Sequence, residues 1–471
     1  MRILLNLFFI SIICLNFSCE NKKIYNIEEY GAIADENVDN AEAIQAAINA
    51  CAKSGGGTVI VPPGIYMSGP FKIASNIELH LEAGSKILAN PNEAVYTESA
   101  FKENRGEGMK WISGDSIENF SLSGKGTLDG NGVAFMGKEL SDSYELKPVH
   151  EFDPRPHLFT LVHGKNIKIK DVHIANSAYW AMHFIGCEDL VIENISILNN
   201  LKIRNGDGID LDHSKNVRIN NCYIESGDDC ICLKNRREYI EYGPCQNISI
   251  TNCIMTSRSC AFKIGSENVD RINHVVVDNC IIKDSNRGIG IQNRDEGTVE
   301  NVLFSNILID SHLYSDVWWG KSEPIYVTAY TRKSGDHKDA GWRFPKNQMP
   351  VSVGMICDIF FTNIKCDSEN GVFVGSESSD KIKRIYFDQI DLLINRKTNF
   401  QGGVYDKRPC EGNDFIKGNT YGFYCVGASD IIIRNSSVTW GETITKYFRD
   451  ILKTENTSNV SIVNLTGEKP N

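Results

Sequence analysis

A short phrase that returns every 23 to 31 residues constrains this chain more than any other feature. It reads NIKIKD at 166, DLVIEN at 189, NVRINN at 216, NISITN at 247, HVVVDN at 274 and NVLFSN at 301, with kindred phrases from NIELHL at 76 to NVSIVN at 459. Periods of this length mark stacked supersecondary units. Each phrase alternates apolar, often β-branched residues with polar ones and then meets Asn, Asp or Gly, which is the pattern of a short strand closed by a turn. The spacing leaves no room for crossover helices, so the expected architecture is all-β, a solenoid of parallel coils. Asn194, Asn221, Asn252, Asn279, Asn306, Asn363, Asn435 and Asn464 recur at the sixth position. Stacked at the strand spacing of about 4.8 Å, they are expected to form a ladder at an inward corner, a structural role that disfavours glycan acceptance at Asn194, Asn247, Asn435 and Asn459.

A solenoid leaves its first coil open to edge pairing. The stretch from Asn40 to Ser54 is suited to cover it: Asn40 can N-cap a helix that places Ile44, Ala47, Ile48 and Cys51 on one face, and Gly55 to Gly57 can end it. Non-repeating insertions at about 133 to 165, 312 to 357 and 395 to 429 should project as loops and wall a groove. With 471 residues, 41% of them hydrophobic, the chain can bury a large core. Its net charge of −11 argues against a general nucleic-acid or anionic-membrane binder.

Residues 1 to 19, MRILLNLFFISIICLNFSC, carry one cation and an apolar run too short to span a bilayer, the pattern of a cleaved export signal. Leu15 and Ser18 ahead of Cys19 resemble a bacterial lipoprotein box. The expected mature protein is therefore a single domain, 20 to 471, in the bacterial periplasm or on the outer-membrane surface, held to the membrane only by a lipid on Cys19. Beyond Cys14 and Cys19 the cysteines lack the CxxC pairs of a zinc site. Cys222, Cys253 and Cys280 recur at one place in successive repeats and should stack as buried thiols, whereas Cys187, Cys230, Cys232 and Cys245 could pair.

The densest acids in the repeats lie in NGDGIDLD, with Asn205, Asp207, Asp210 and Asp212, and in SGDDCICLK, with Asp228 and Asp229. Asp207 and Asp228 are 21 residues apart, close to one coil, so they can share a face on adjacent rungs. Crowded carboxylates cannot all ionise freely. At least one pKa rises while its neighbours stay charged, the condition for a general acid beside a general base in acetal hydrolysis. An inverting pair would be expected roughly 6.5 to 9.5 Å apart. Asp210 and Asp212 read more readily as turn or coil structure. Adjacent strand residues face opposite ways, so Asp228 and Asp229 can share a cleft only if Gly227 starts a bend.

These motifs resemble those of the polygalacturonase-like enzymes, glycoside hydrolase family 28. YMSGPFKIASNIELHLEAGSKI, GKGTLDGNG and NSAYWAMHF carry the likeness through the scaffold, while Asn205-Gly206-Asp207 corresponds to the family's Asn-Thr-Asp and Asp228-Asp229 to its Asp-Asp. The resemblance implies a right-handed parallel β-helix of the pectin-lyase-like kind and a pectin-like polysaccharide substrate, galacturonan or rhamnogalacturonan. It also implies inverting hydrolysis without metal or cofactor, in which Asp228 protonates the glycosidic oxygen and Asp207 and Asp229 activate water.

Two motifs depart from the family. Its Gly-His-Gly falls on Ser259-Cys260-Ala261, and its Arg-Ile-Lys on Gly290-Ile291-Gln292, so the active-site imidazole and both carboxylate-gripping cations are absent. Either Lys234, Lys263, Arg287 and Arg294 supply replacement charge, or a neutral sugar such as rhamnose or galactose lies against Gln292. Asn205, Lys234, Lys263, Gln292 and Arg294 are accordingly the expected substrate contacts. Trp318, Trp319, Tyr326 and Tyr330 are suited either to sugar stacking or to loop packing. Glu267 suits a salt bridge with Lys263, and His183 and His213 read as structural. A β-helix polysaccharide lyase and a non-catalytic carbohydrate-binding β-helix are the rival readings.

Overall fold

The computed structural model describes residues 23–102, 107–139, 146–149, 154–332, 352–410 and 412–470. The export signal, Cys14 and Cys19 lie outside them. Two sheets, of 22 and 12 strands, run along the molecule, and all pairing within them is parallel, rung on rung. Antiparallel strands occur as two hairpins, Met136–Glu139 with Leu146–Pro148 and Val404–Asp406 with Phe415–Lys417. The chain is a parallel β-helix.

Seven successive strands of the 12-stranded sheet matter for function: β1 (Met182–Ile185), β2 (Ile209–Asp212), β3 (Ile231–Asn235), β4 (Cys260–Asn268), β5 (Arg287–Asn293), β6 (Ile325–Ala329) and β7 (Val372–Ser376). Their register stacks Phe184, Leu211, Leu233, Ile264, Ile291, Val327 and Val374 into one buried apolar column. Burying one such side chain contributes about 1.5–3 kcal/mol, which is how each rung holds the next. β6 and the strand Pro156–Val162 are rungs of this sheet, so the insertions expected at 312 to 357 and 133 to 165 are shorter than the sequence indicated.

The asparagine corners are real but face outward. Asn194, Asn221, Asn252, Asn279, Asn306, Asn363, Asn435 and Asn464 are exposed, all with φ between 48° and 57°. A second set five residues earlier, including Asn216, Asn247, Asn301 and Asn459, is also left-handed. Asparagine tolerates this conformation because its short amide bonds locally, here along the stack: Asn279 Nδ2 donates to Asn252 Oδ1 at 2.7 Å, and Asn247 Nδ2 to Asn216 Oδ1 at 3.0 Å. The expected inward placement is therefore corrected.

Helix α1 (Ala41–Lys53) buries Ile44, Ala47, Ile48 and Cys51 against the first coil, as its periodicity requires. Its cap differs from expectation. Asp39 Oδ1 accepts from Ala41 N at 2.9 Å, while the Asn40 amide is spent on Ile33, Val38 and Met67. Cys222, Cys253 and Cys280 form the expected buried stack, and Cys187, Cys230, Cys232 and Cys245 are free, buried thiols, so the pairing considered for them is not made.

Candidate active site

Asp207 and Asp229 each stand two residues ahead of paired positions, Ile209 on β2 and Ile231 on β3, so they stack on consecutive rungs. Asp228 joins them because residues 227–230 form a bend between the strand Tyr223–Ser226 and β3, where strict alternation does not hold. Gly227 makes that bend possible: a Cβ there would come within 2.2 Å of the Ile203 carbonyl oxygen. One oxygen from each of Asp207, Asp228 and Asp229 lies within 4.8 Å of the others.

The surrounding backbone fixes the bend. Ser226 Oγ lies 2.5 Å from the Gly206 carbonyl, Ser257 Oγ donates to the Asp228 carbonyl at 2.5 Å, and the Asn205 amide donates to Asp228 Oδ2 at 3.3 Å. Asn205, with φ 58°, contributes through its backbone. Asp207 and Asp229 are 3% and 1% exposed, and the Oδ1 of each has no hydrogen-bond partner among the described residues. Two buried acceptor atoms are thus left able to hold a water or hydroxyl.

Two lysines balance the acids. Lys263 Nζ is 2.7 Å from Asp229 Oδ2, and Lys234 Nζ is 2.9 Å from Asp210 Oδ1 and 3.8 Å from Asp207 Oδ2. Burial, then the Asp229 charge, pushes the Asp228 carboxyl up to about 6. Burial raises Asp210 to about 7, against the pull of Lys234. Asp207 is raised by burial first and Asp210 second. Burial works against the charge on Lys263, but Asp229 holds its ammonium above the ordinary lysine range. The three converging carboxylates are the group among the described residues that could bracket a cation, and the two ammonium groups already supply positive charge there.

The expected substrate contacts divide. Lys263 reaches the site with 18% of its side chain exposed. Lys234 is committed to Asp210 and lies 3.8 Å over the Trp180 ring. Arg294 is a correction: it is wholly buried, and its guanidinium donates to Thr328 Oγ1 at 3.1 Å and to the Lys407 carbonyl at 2.8 Å, so it anchors a loop rather than a sugar. Gln292 is 3% exposed and its amide donates to the Arg408 carbonyl. Arg287 pairs with Glu323 at 3.1 Å. Glu267 lies 3.9 Å from Arg236, because Lys263 has turned to Asp229. Trp318, Tyr326 and Tyr330 are buried packing, and Trp319 is half-buried.

Asp210, which faces the acids from β2, and the aromatic group beside them belong to the site more closely than their place in the sequence indicates. Trp180 and His183 come from NSAYWAMHF, read as scaffold; their rings lie 4.8 Å apart, and His157 is 5.0 Å from Trp180. The residue types were visible, but the single phrase showed no sign that it borders the acids on the next rung.

Residues 51–316 match the family model described as glycosyl hydrolases family 28. The chain belongs to this family. Among its relatives, this family 28 chain is 26% identical over 289 residues to a probable polygalacturonase of Vitis vinifera, an alignment covering 57% of this chain and 56% of that one. It is 27% identical over 304 residues to an exopolygalacturonase of Platanus acerifolia, covering 61% and 72%. In structure it is similar to the family 28 exopolygalacturonase of Yersinia enterocolitica, with a TM-score of 0.70, 20% identity and coverage of 93% of this chain and 78% of that one. A polygalacturonase of Erwinia carotovora gives a TM-score of 0.58 at 19% identity, with 96% of each chain covered. The fold is the right-handed parallel β-helix that the family resemblance implies.

Proposed function

We propose that this chain is a glycoside hydrolase of a pectin-like polysaccharide, with Asp228 as general acid and Asp207 and Asp229 activating water. The observation that carries the reading is the convergence of the three carboxylates within 4.8 Å. A carboxyl raised to about 6 keeps a proton to give to a leaving oxygen near neutral pH. Asp207 and Asp229 are stacked neighbours, each with an unpartnered Oδ1, so they suit the shared grip of one water.

Lyase chemistry is disfavoured, since it needs a free base and Lys263 is held protonated in its ion pair. Every cation weighed as a grip for a uronate carboxylate is already engaged, Lys234, Lys263, Arg287 and Arg294 alike. Gly290 and Gln292 are themselves buried, the latter under the Arg408 carbonyl, so a neutral sugar held beside the three acids is the reading we favour, and with it a rhamnogalacturonan-type chain. A retaining displacement, with a carboxylate as nucleophile, is the second stereochemistry, and the acids are near enough for it, each bringing one oxygen within 4.8 Å of the others.

Digestion of galacturonan and rhamnogalacturonan oligosaccharides, with the first-formed anomer read by NMR, tests these points together. An inverted anomer is expected, from the rhamnogalacturonan series. A retained anomer selects the covalent route, and unsaturated products absorbing in the ultraviolet select the lyase. Binding without turnover that is unaffected by Asp228→Asn selects the carbohydrate-binding rival. We further propose export and lipidation at Cys19; a Cys19→Ala variant recovered in the membrane fraction as fully as the native chain would refute the anchor.

A further inference from the structure

Every residue of the seven strands β1 to β7 is buried with the exception of Lys263, including those whose side chains point away from the solenoid core. Something covers the outer face of this sheet on both sides of the acids. Toward the N-terminus the cover is Phe101, whose ring meets Trp180 at 5.6 Å and His157 at 5.4 Å under the Arg236 guanidinium at 4.2 Å. This segment is tied down across the groove: Tyr239 donates to the Ala100 carbonyl, Lys102 N donates to Glu238 at 2.7 Å, and the Lys102 ammonium pairs with Glu241.

Toward the C-terminus the cover is the hairpin that begins at Val404. Tyr405 stacks on Phe373 of β7 at 4.6 Å, and Tyr326 of β6 donates to the Asp406 carbonyl. Arg294 and Gln292 hold the next two carbonyls, those of Lys407 and Arg408. Among the described residues, the stretch left between the two covers is that of β2, β3 and β4, where Lys263 and Asp228 are the half-buried groups, roughly 10–15 Å at about 4.8 Å per strand.

We propose that the acids lie in a pocket closed at both ends along the solenoid axis, so that the enzyme takes the end of a sugar chain and releases one or two sugars at a time. A polymer lying along the axis would have to displace Phe101 at one end and the Tyr405 hairpin at the other. The inference rests on the hydrolase reading and specifies its substrate as a chain terminus.

The test follows viscosity and products together on polymeric polygalacturonate and polymeric rhamnogalacturonan, with oligosaccharides of defined length alongside. Release of mono- or disaccharide while viscosity stays nearly constant is expected. A rapid fall in viscosity with a ladder of oligosaccharides overturns the closed pocket and leaves the hydrolase reading standing, whereas no cleavage anywhere in the panel removes both. In the double variant Phe101→Ala, Tyr239→Phe, folded as judged by an unchanged melting temperature, internal cleavage of the polymer is expected to rise at least several-fold. An unchanged product pattern in that variant overturns the role given to the Phe101 wall.

Discussion

At the scale of single residues, the site works through a mismatch between charge and burial. Asp207, Asp210 and Asp229 are buried and Asp228 is half-buried beside them, and among the described residues Lys234 and Lys263 are the cations close enough to pair with them. Replacing Asp228 by Asn should lower kcat by about 10²–10⁴-fold while the fold survives, since the amide is nearly isosteric but gives no proton. The Lys263 charge pulls the Asp228 carboxyl down from where burial and Asp229 would put it. Lys263→Met should therefore move the alkaline limb of the kcat–pH profile to higher pH, and Lys263→Arg should leave it in place. The same shifts make stability depend on pH. Carboxyls raised in the folded state contribute stability that is complete below their unfolded pKa near 4 and is lost as pH climbs through the folded values, about 6 for Asp228 and about 7 for Asp210. Through these groups the melting temperature should accordingly fall between about pH 4 and pH 7, with a shallower fall in Asp228→Asn, as calorimetry across that range would register.

At the scale of the element, what could be read from the chain depended on whether a residue's role was periodic. Strands, their apolar columns and the buried face of α1 repeat with the coil, so the alternation in NISITN or NVRINN was enough to place them. The acids were legible because Asp207 and Asp228 differ by nearly one coil. Residues whose partners lie far along the chain were not: Arg294 and Gln292 look like free polar groups in RGIGIQNR, and it is β6 for Arg294 and the hairpin some 110 residues later for both that engage them. The outward turn of the asparagines was hidden for another reason, since an αL corner and an inward ladder ask for the same side chain. That corner is itself testable. Asn252→Ala places a Cβ-bearing residue without a local amide at φ 57° and removes the acceptor of Asn279, and should cost about 1 kcal/mol. Asn252→Gly, which regains the backbone freedom but not the amide, should recover most of that loss in chemical denaturation.

At the scale of the whole molecule, the two ends of the solenoid are unequal. The first coil is covered by α1, which seals its apolar interior with Ile44, Ala47, Ile48 and Cys51. Among the described residues the last coil, Phe448–Glu455 and Ser458–Thr466, pairs on one side only and leaves Ile462 and Val463 at 40% and 55% exposure. In a stacked array each rung is stabilised by its neighbours, so a rung with one neighbour opens at lower free energy than a rung with two. The active-site rungs β2 to β4 sit in the interior of the stack, where strands are buried on both faces, and this is what allows three carboxylates to be held together against their repulsion. Hydrogen exchange should therefore be fastest at 458–466, slower through the strand Ile382–Ile394, and slowest at β2 and β3, a gradient that mass spectrometry of peptic fragments can resolve. Exchange at 458–466 as slow as at 209–212 would mean that the terminal coil is covered in solution by another surface, and mixing at varied protein concentration would then identify a second copy of the chain by the concentration at which protection appears.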